Sequence, residues 1–307
     1  MQLSSALRAA TIAATFGITA QAGAATISVT PTTDAASLSG ALGGTGVTIS
    51  SPIYTGATGS AGTFTGGTGA GLGINSGIVL STGLASDAGT PYGGANLPDT
   101  NLGGSSTSLI PNSFDAATLS FNFTSAGNAA SFRYVFASAE YPNYVNSTFN
   151  DAFRFLINGQ DVALLPGTST PVSINTVNAG DTTGANASNS GSFVSNYTGQ
   201  NADIPYGGYT VPLTAGITGL TPGAMNTLTL VIADVNDAYL DSAVFIEGGS
   251  LTDTMPGGNT GGTGGGTGGG NTGGGTGGTA VPEPASAALL GAGLFGLVAA
   301  RRRRTAR

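Results

Sequence analysis

Two stretches of the chain concentrate the side chains that could do chemistry. The segment IADVNDAYLDSAVFIE, residues 232–247, carries Asp234, Asn236, Asp237 and Asp241; the segment SAEYPNYVNSTFND, residues 138–151, carries Glu140, Asn150 and Asp151. A hard cation such as calcium takes roughly six to eight oxygens from carboxylates, amide carbonyls and backbone, on loops able to wrap it. These seven residues are the candidate metal ligands, with calcium the candidate cofactor. The pattern is not an EF-hand, because counting from Asp234 neither the glycine at the sixth position nor the glutamate at the twelfth is present. The same residues have a second reading, in which Asp and Asn at turns bond nearby backbone N–H groups and hold no ion. Sequence leaves both open.

Carboxylates alone can also cleave glycosides, provided that two flank the bond and one is held protonated. The only glutamates between the two ends of the chain are Glu140 and Glu247, and local spacing brings no acid pair to the required separation. For binding a sugar there is no Trp, but Tyr141, Tyr144, Tyr197, Tyr206, Tyr209 and Tyr239 could supply rings. Tyrosines bordering strands more often pack the ring inward and leave the hydroxyl outside.

Composition narrows the chemistry further. The chain has no Cys, His or Trp, and all eight of its basic residues are Arg. Zinc sites of the usual N and S ligands, Ser-His-Asp triads and Cys-His pairs are therefore excluded. Only Arg133 and Arg154 fall between the two ends of the chain, so that part carries a charge of about −12. Phosphate-binding surfaces are built from Lys and Arg, which excludes nucleic acid as a partner. Such a charge favours cations. Arg133 and Arg154 themselves are expected on neighbouring strands, each as a cross-strand bridge to an acid or a solvated charge, with a clamp for a ligand carboxylate as the alternative.

The elements that must position these residues are strands. Period-two apolar positions recur at Leu119, Phe121 and Phe123, at Phe132, Tyr134 and Phe136, and at Phe153, Phe155 and Ile157, separated by turn signals such as Asn158-Gly159. Such alternation predicts antiparallel strands with one buried face. Further strands are expected over 26–30, 47–54, 74–83, 162–165, 172–177, 209–213, 227–233 and 242–247. Asp34 caps a single short helix over 35–42, and the Gly/Thr-rich stretch 56–73 and the loop 91–113 are left irregular. The expected fold is all-β, a two-sheet antiparallel sandwich of jelly-roll type, with a closed barrel as the alternative.

The domain lies over residues 25–255, between two ends of different character. Residues 1–24, with Arg8, a small apolar run and Ala22-Gly23-Ala24, read as a secretory signal peptide. Residues 256–280 are a Gly/Thr-rich linker, spanning about 25 to 30 Å as a flexible coil. The remaining residues, 281–307, read VPEPASAALLGAGLFGLVAARRRRTAR. Its apolar run 285–300 would cover about 24 Å as a helix, somewhat short of the ~30 Å hydrocarbon core, and flanking residues must help it span. The arginines after it resist translocation and hold that end in the cytoplasm.

This order of parts, the Val281-Pro282-Glu283-Pro284 motif, a short transmembrane helix and the cluster Arg301, Arg302, Arg303 and Arg304, resembles the PEP-CTERM sorting signal of Gram-negative bacteria. The resemblance implies recognition by an exosortase-type peptidase, transient anchoring in the inner membrane, and delivery to the cell surface or extracellular matrix. The blocks EYPNYVNSTFNDAF and IADVNDAYLDSAVF, with GIVLSTG at 77–83 and LLPGTSTPVSINTVN at 164–178, resemble the choice-of-anchor L domain. That family is a bacterial surface module joined to sorting tails, and it brings no established activity. The expectation is a non-catalytic structural or adhesive protein of the envelope or matrix. The alternative is a calcium-dependent module binding extracellular polysaccharide, and an acid-pair glycoside hydrolase stands behind both.

Overall fold

The structure, a computed structural model, describes residues 26–94 and 97–256. The expected signal peptide, nearly all of the linker, and the tail with its expected transmembrane helix and its arginines lie outside the described residues. Among those described, no helix is long and apolar enough to cross a membrane.

In chain order the elements are β1 (Ser28–Pro31), α1 (Ala35–Leu42), β2 (Val47–Thr55), β3 (Ala61–Thr65), β4 (Gly77–Ser81), β5 (Ser113–Ser125), β6 (Ala129–Ser138), β7 (Ala152–Ile157), β8 (Gln160–Asp161), β9 (Phe193–Ser195), β10 (Gly208–Thr210), β11 (Leu213–Thr218), β12 (Met225–Val235) and β13 (Ser242–Glu247). One sheet runs β1-β3-β4-β13-β6-β10-β9, with β11 also paired to β6; the other runs β2-β5-β12-β7-β8. Every strand pairing is antiparallel. The described residues therefore form two stacked antiparallel sheets with one α-helix, not a single closed barrel.

The alternating residues do what the period demands. Leu119, Phe121 and Phe123 of β5, Leu228, Leu230 and Ile232 of β12, and Phe153, Phe155 and Ile157 of β7 turn one face of the second sheet inward. Opposite them stand Phe132, Tyr134 and Phe136 of β6, with residues of β4 and β13. The two faces lock through edge-on rings: Tyr134 meets Phe155 at 5.0 Å and 89°, and Phe132 meets Phe155 at 4.9 Å and 62°. β4, β6 and β13 are buried on both faces, because a second cluster built on Val79, Val135 and Phe245 is covered by loop residues such as Leu72 and Ile204. Hence β4 and β13 read as apolar runs without alternation. Asp34 accepts from the N–H groups of Ala36 and Ser37, and α1 sets Leu38 and Leu42 into the core.

Four local expectations change. β3 forms within the Gly/Thr-rich stretch, where Gly62 lets the strand lie against β1: a Cβ there would stand 2.8 Å from the Thr30 carbonyl. The hairpin partner of β7 is the short β8, directly after the Asn158-Gly159 turn, rather than residues 162–165. Residues 172–177 form no strand, since the Thr176 hydroxyl accepts from the Ser173 N–H and the Asn178 amide donates to the Ile174 carbonyl. Finally, β6 and β7, which bear Arg133 and Arg154, belong to different sheets. Each arginine nevertheless bridges an acid on its own sheet, Glu247 and Asp161 respectively, both at 2.7 Å.

Candidate functional site

One end of the sandwich gathers acids. The pairing Ala243↔Ser81 and Ser242↔Ser138 brings the start of β13 against the ends of β4 and β6, while Ala233↔Ala152 brings the end of β12 against the start of β7. The two sheets are tied together there by the Ser242 hydroxyl, which donates to Asp151 Oδ2 at 2.7 Å. Around this tie Glu140, Asp151, Asp234 and Asp241 are all buried, and so is Asp115 at the start of β5.

Their satisfaction is uneven. Asp151 Oδ1 accepts from the Val235 N–H at 3.1 Å, and the Thr100 N–H donates to both oxygens of Asp241 at 3.2 and 3.1 Å. Gly83 makes room for the Asp241 carboxylate, since a Cβ at that position would overlap it. Asp115 Oδ1 accepts from the Gly104 N–H, but its Oδ2 has no partner, nor has Glu140 Oε2. Asp234, just past a β-bulge in β12, is 0 % exposed and neither of its oxygens has a partner. The Thr82 hydroxyl lies beside it and also reaches the Ser242 carbonyl, at 3.5 Å.

The electrostatic consequence follows from burial without countercharge. Removing a carboxylate from water disfavours its charged form, and like charges nearby disfavour it further. Burial pushes the Glu140 carboxyl up to about 9, aided by the charges of Asp151, Asp237 and Asp99. Burial also pushes Asp241 up to about 7, against the Thr100 N–H, which holds it down. Asp151 and Asp234 form a tightly coupled pair, both driven upward by burial, Asp234 further by the charge of Asp151. Both arginines of the described residues are engaged elsewhere, with Glu247 and Asp161.

Outside this buried group lies a cleft of about 340 Å³, lined by Asp99, Glu140, Tyr144, Phe149, Asp237 and Tyr239, with Leu240. Tyr144 stands edge-on to Phe149 at 5.6 Å, and Tyr239 is 61 % exposed. Asp99 accepts from the Leu240 N–H at 3.2 Å, which pins the loop before β5 to the loop before β13.

Of the seven candidate ligands, the structure brings Glu140, Asp151, Asp234 and Asp241 to the buried group and Asp237 to the cleft. Asn150 and Asn236 serve the turns: Asn150 Oδ1 accepts from the Asn175 N–H, and the Asn236 amide donates to the Thr148 carbonyl. Among the described residues no three acidic side chains are grouped as a ready metal cage. Asp99, Asp115 and Thr82 are participants that sequence reasoning did not single out. Asp115 left a faint signal, an acid inside the otherwise apolar alternation of β5. Of the tyrosines proposed as sugar platforms, Tyr141, Tyr206 and Tyr209 are buried, and the Tyr141 hydroxyl donates to the Val177 carbonyl; Tyr144, Tyr197 and Tyr239 remain outside. Glu140 and Glu247 are not an acid pair, because the six residues of β13 at ~3.3 Å each separate their ends by far more than the ~9.5 Å that such chemistry tolerates.

Residues 28–252 match the model of the choice-of-anchor L domain. The chain belongs to the choice-of-anchor L domain family. The acid-rich end lies within that choice-of-anchor L match, and its two most acidic loops are the EYPNYVNSTFNDAF and IADVNDAYLDSAVF blocks. Residues 280–304 match the PEP-CTERM protein-sorting motif. Exosortase recognises this motif, so the protein is an exosortase-targeted surface protein, exported and sorted to the cell surface. No curated protein and no solved structure matches the chain.

Proposed function

We propose that the choice-of-anchor L domain acts at the cell surface as a non-catalytic adhesive module, holding extracellular polysaccharide in the cleft between Tyr144 and Tyr239. The observation that carries this reading is the composition of that cleft: exposed aromatic rings beside Asp99, Asp237 and the partnerless Glu140 oxygen. Apolar faces of sugar rings stack on tyrosine, and carboxylate oxygens accept from sugar hydroxyls. The test is retention of the protein on polysaccharide from its own cell surface. Tyr239→Ala and Tyr144→Ala should each weaken retention while Tyr197→Ala does not. Equal retention of all three variants, or none by the unsubstituted protein, would count against the cleft.

A catalytic reading has one observation in its favour. Burial pushes the Glu140 carboxyl up to about 9 in a cleft that also holds other carboxylates, which is how a general acid is kept ready to donate. It predicts release of reducing sugar, lost in Glu140→Gln; binding without release supports the adhesive reading.

A further inference from the structure

The acids behind the cleft raise a separate question, because among the described residues no positive side chain is paired with them. Burying an ionised carboxylate without a partner is among the costliest arrangements in a protein interior. Asp234 has both oxygens buried without a hydrogen-bond partner, Asp151 lies against it, and Asp115 Oδ2 and Glu140 Oε2 are orphaned nearby. Among the described residues only Arg133 and Arg154 are basic, and both are engaged with acids elsewhere.

We infer that Asp151 and Asp234, at the ends of adjoining strands of one sheet, are the carboxylate ligands of a buried divalent cation, calcium, at the acid-rich end of the domain. Two carboxylates match its charge. The donors on hand are oxygens only, the preference of a hard cation, and an all-oxygen set suits calcium better than zinc. Since no third acid completes a cage, the remaining positions fall to neutral oxygens, with the Thr82 hydroxyl beside Asp234, and to water. A site with so few charged ligands belongs to the weak class of extracellular calcium modules, with dissociation constants of about 10⁻⁴ to 10⁻³ M. The ion's location is independent of what the cleft binds.

The experiment is thermal unfolding of the full chain in mild detergent at pH 7.5, in chelator and then in excess calcium, alongside equilibrium dialysis against radioactive calcium. A ligand at about 100 times its dissociation constant should raise the midpoint by roughly 5 to 10 °C in a domain of this size. Dialysis should find one ion per chain. Asp234→Asn and Asp151→Asn should each abolish both signals, whereas Asp237→Asn, at the cleft, should keep them. Dialysis reads the ion even where a variant's midpoint has moved for other reasons. Absence of bound calcium in the unsubstituted chain overturns the inference. So does binding that survives Asp234→Asn and disappears in Asp237→Asn, which would place the ion in the cleft.

Discussion

In excess chelator, the acid-rich end should make the domain less stable as pH rises from 5 to 8. Asp241 supplies the most tractable part of this effect. Its carboxyl is pushed from 3.8 up to about 7 in the folded state, chiefly by burial. The folded protein therefore holds a proton that the unfolded chain has released, so this group stabilises at low pH and its contribution is lost as pH rises through 7. Integrated between pH 5 and 8, that shift amounts to about 2 to 3 kcal/mol. For a domain of this size the midpoint should fall by roughly 5 to 10 °C from this group alone. Glu140 and the Asp151–Asp234 pair shift in the same direction and should steepen the fall, though coupled groups do not simply add. The assay is thermal unfolding of the full chain at pH 5, 6, 7 and 8 in excess chelator, with Asp241→Asn alongside. Asparagine fits beside Gly83 and still accepts from the Thr100 N–H, so the variant should lose its share of the slope while remaining folded. A midpoint that is flat or rising from pH 5 to 8, or an Asp241→Asn slope equal to that of the unsubstituted chain, would refute the reasoning.

Two further outcomes test the frame that carries this end. Phe155→Ala removes a buried ring packed against Phe132, Tyr134 and Phe153 and should cost about 3 to 5 kcal/mol, read from urea unfolding. Arg133→Ala breaks an ion pair whose side chains are 43 % and 24 % exposed, and should change stability by less than ~1 kcal/mol in the same measurement.

Much of the frame was legible in the sequence because the signals that specify it are local. Alternation of aromatic and polar residues in β5, β6 and β7 follows from the two-residue period of a strand, and Asp34 announces α1 by bonding N–H groups two and three residues on. Pairing across the chain leaves no such local trace. Nothing near Phe132 or Phe155 says that their strands face each other across the core instead of lying side by side. β3 escaped notice because its two buried side chains, Ala61 and Phe64, are spaced by a glycine whose purpose is close approach to β1.

The acid-rich end was legible in composition but not in burial. The segments holding Glu140, Asp151, Asp234 and Asp241 stood out by residue type, yet ordinary turn acids have the same spelling. What distinguishes Asp234 from a turn residue is that both sheets close over it, and that depends on the Ser242↔Ser138 and Ala233↔Ala152 registers. Asn150 and Asn236 look identical in kind to the acids beside them, and they turned out to knit loops. Asp99 enters from a stretch with no periodicity at all and meets Leu240 from 141 residues away.

The account rests on a choice-of-anchor L domain being carried to the cell surface by its tail. The measurement that tests this most directly is the accessibility of the protein to protease added outside intact cells, comparing the full chain with one ending at Thr279. The full chain should be cut by external protease, and the shortened chain should be protected. Equal exposure of both at the surface would contradict the account.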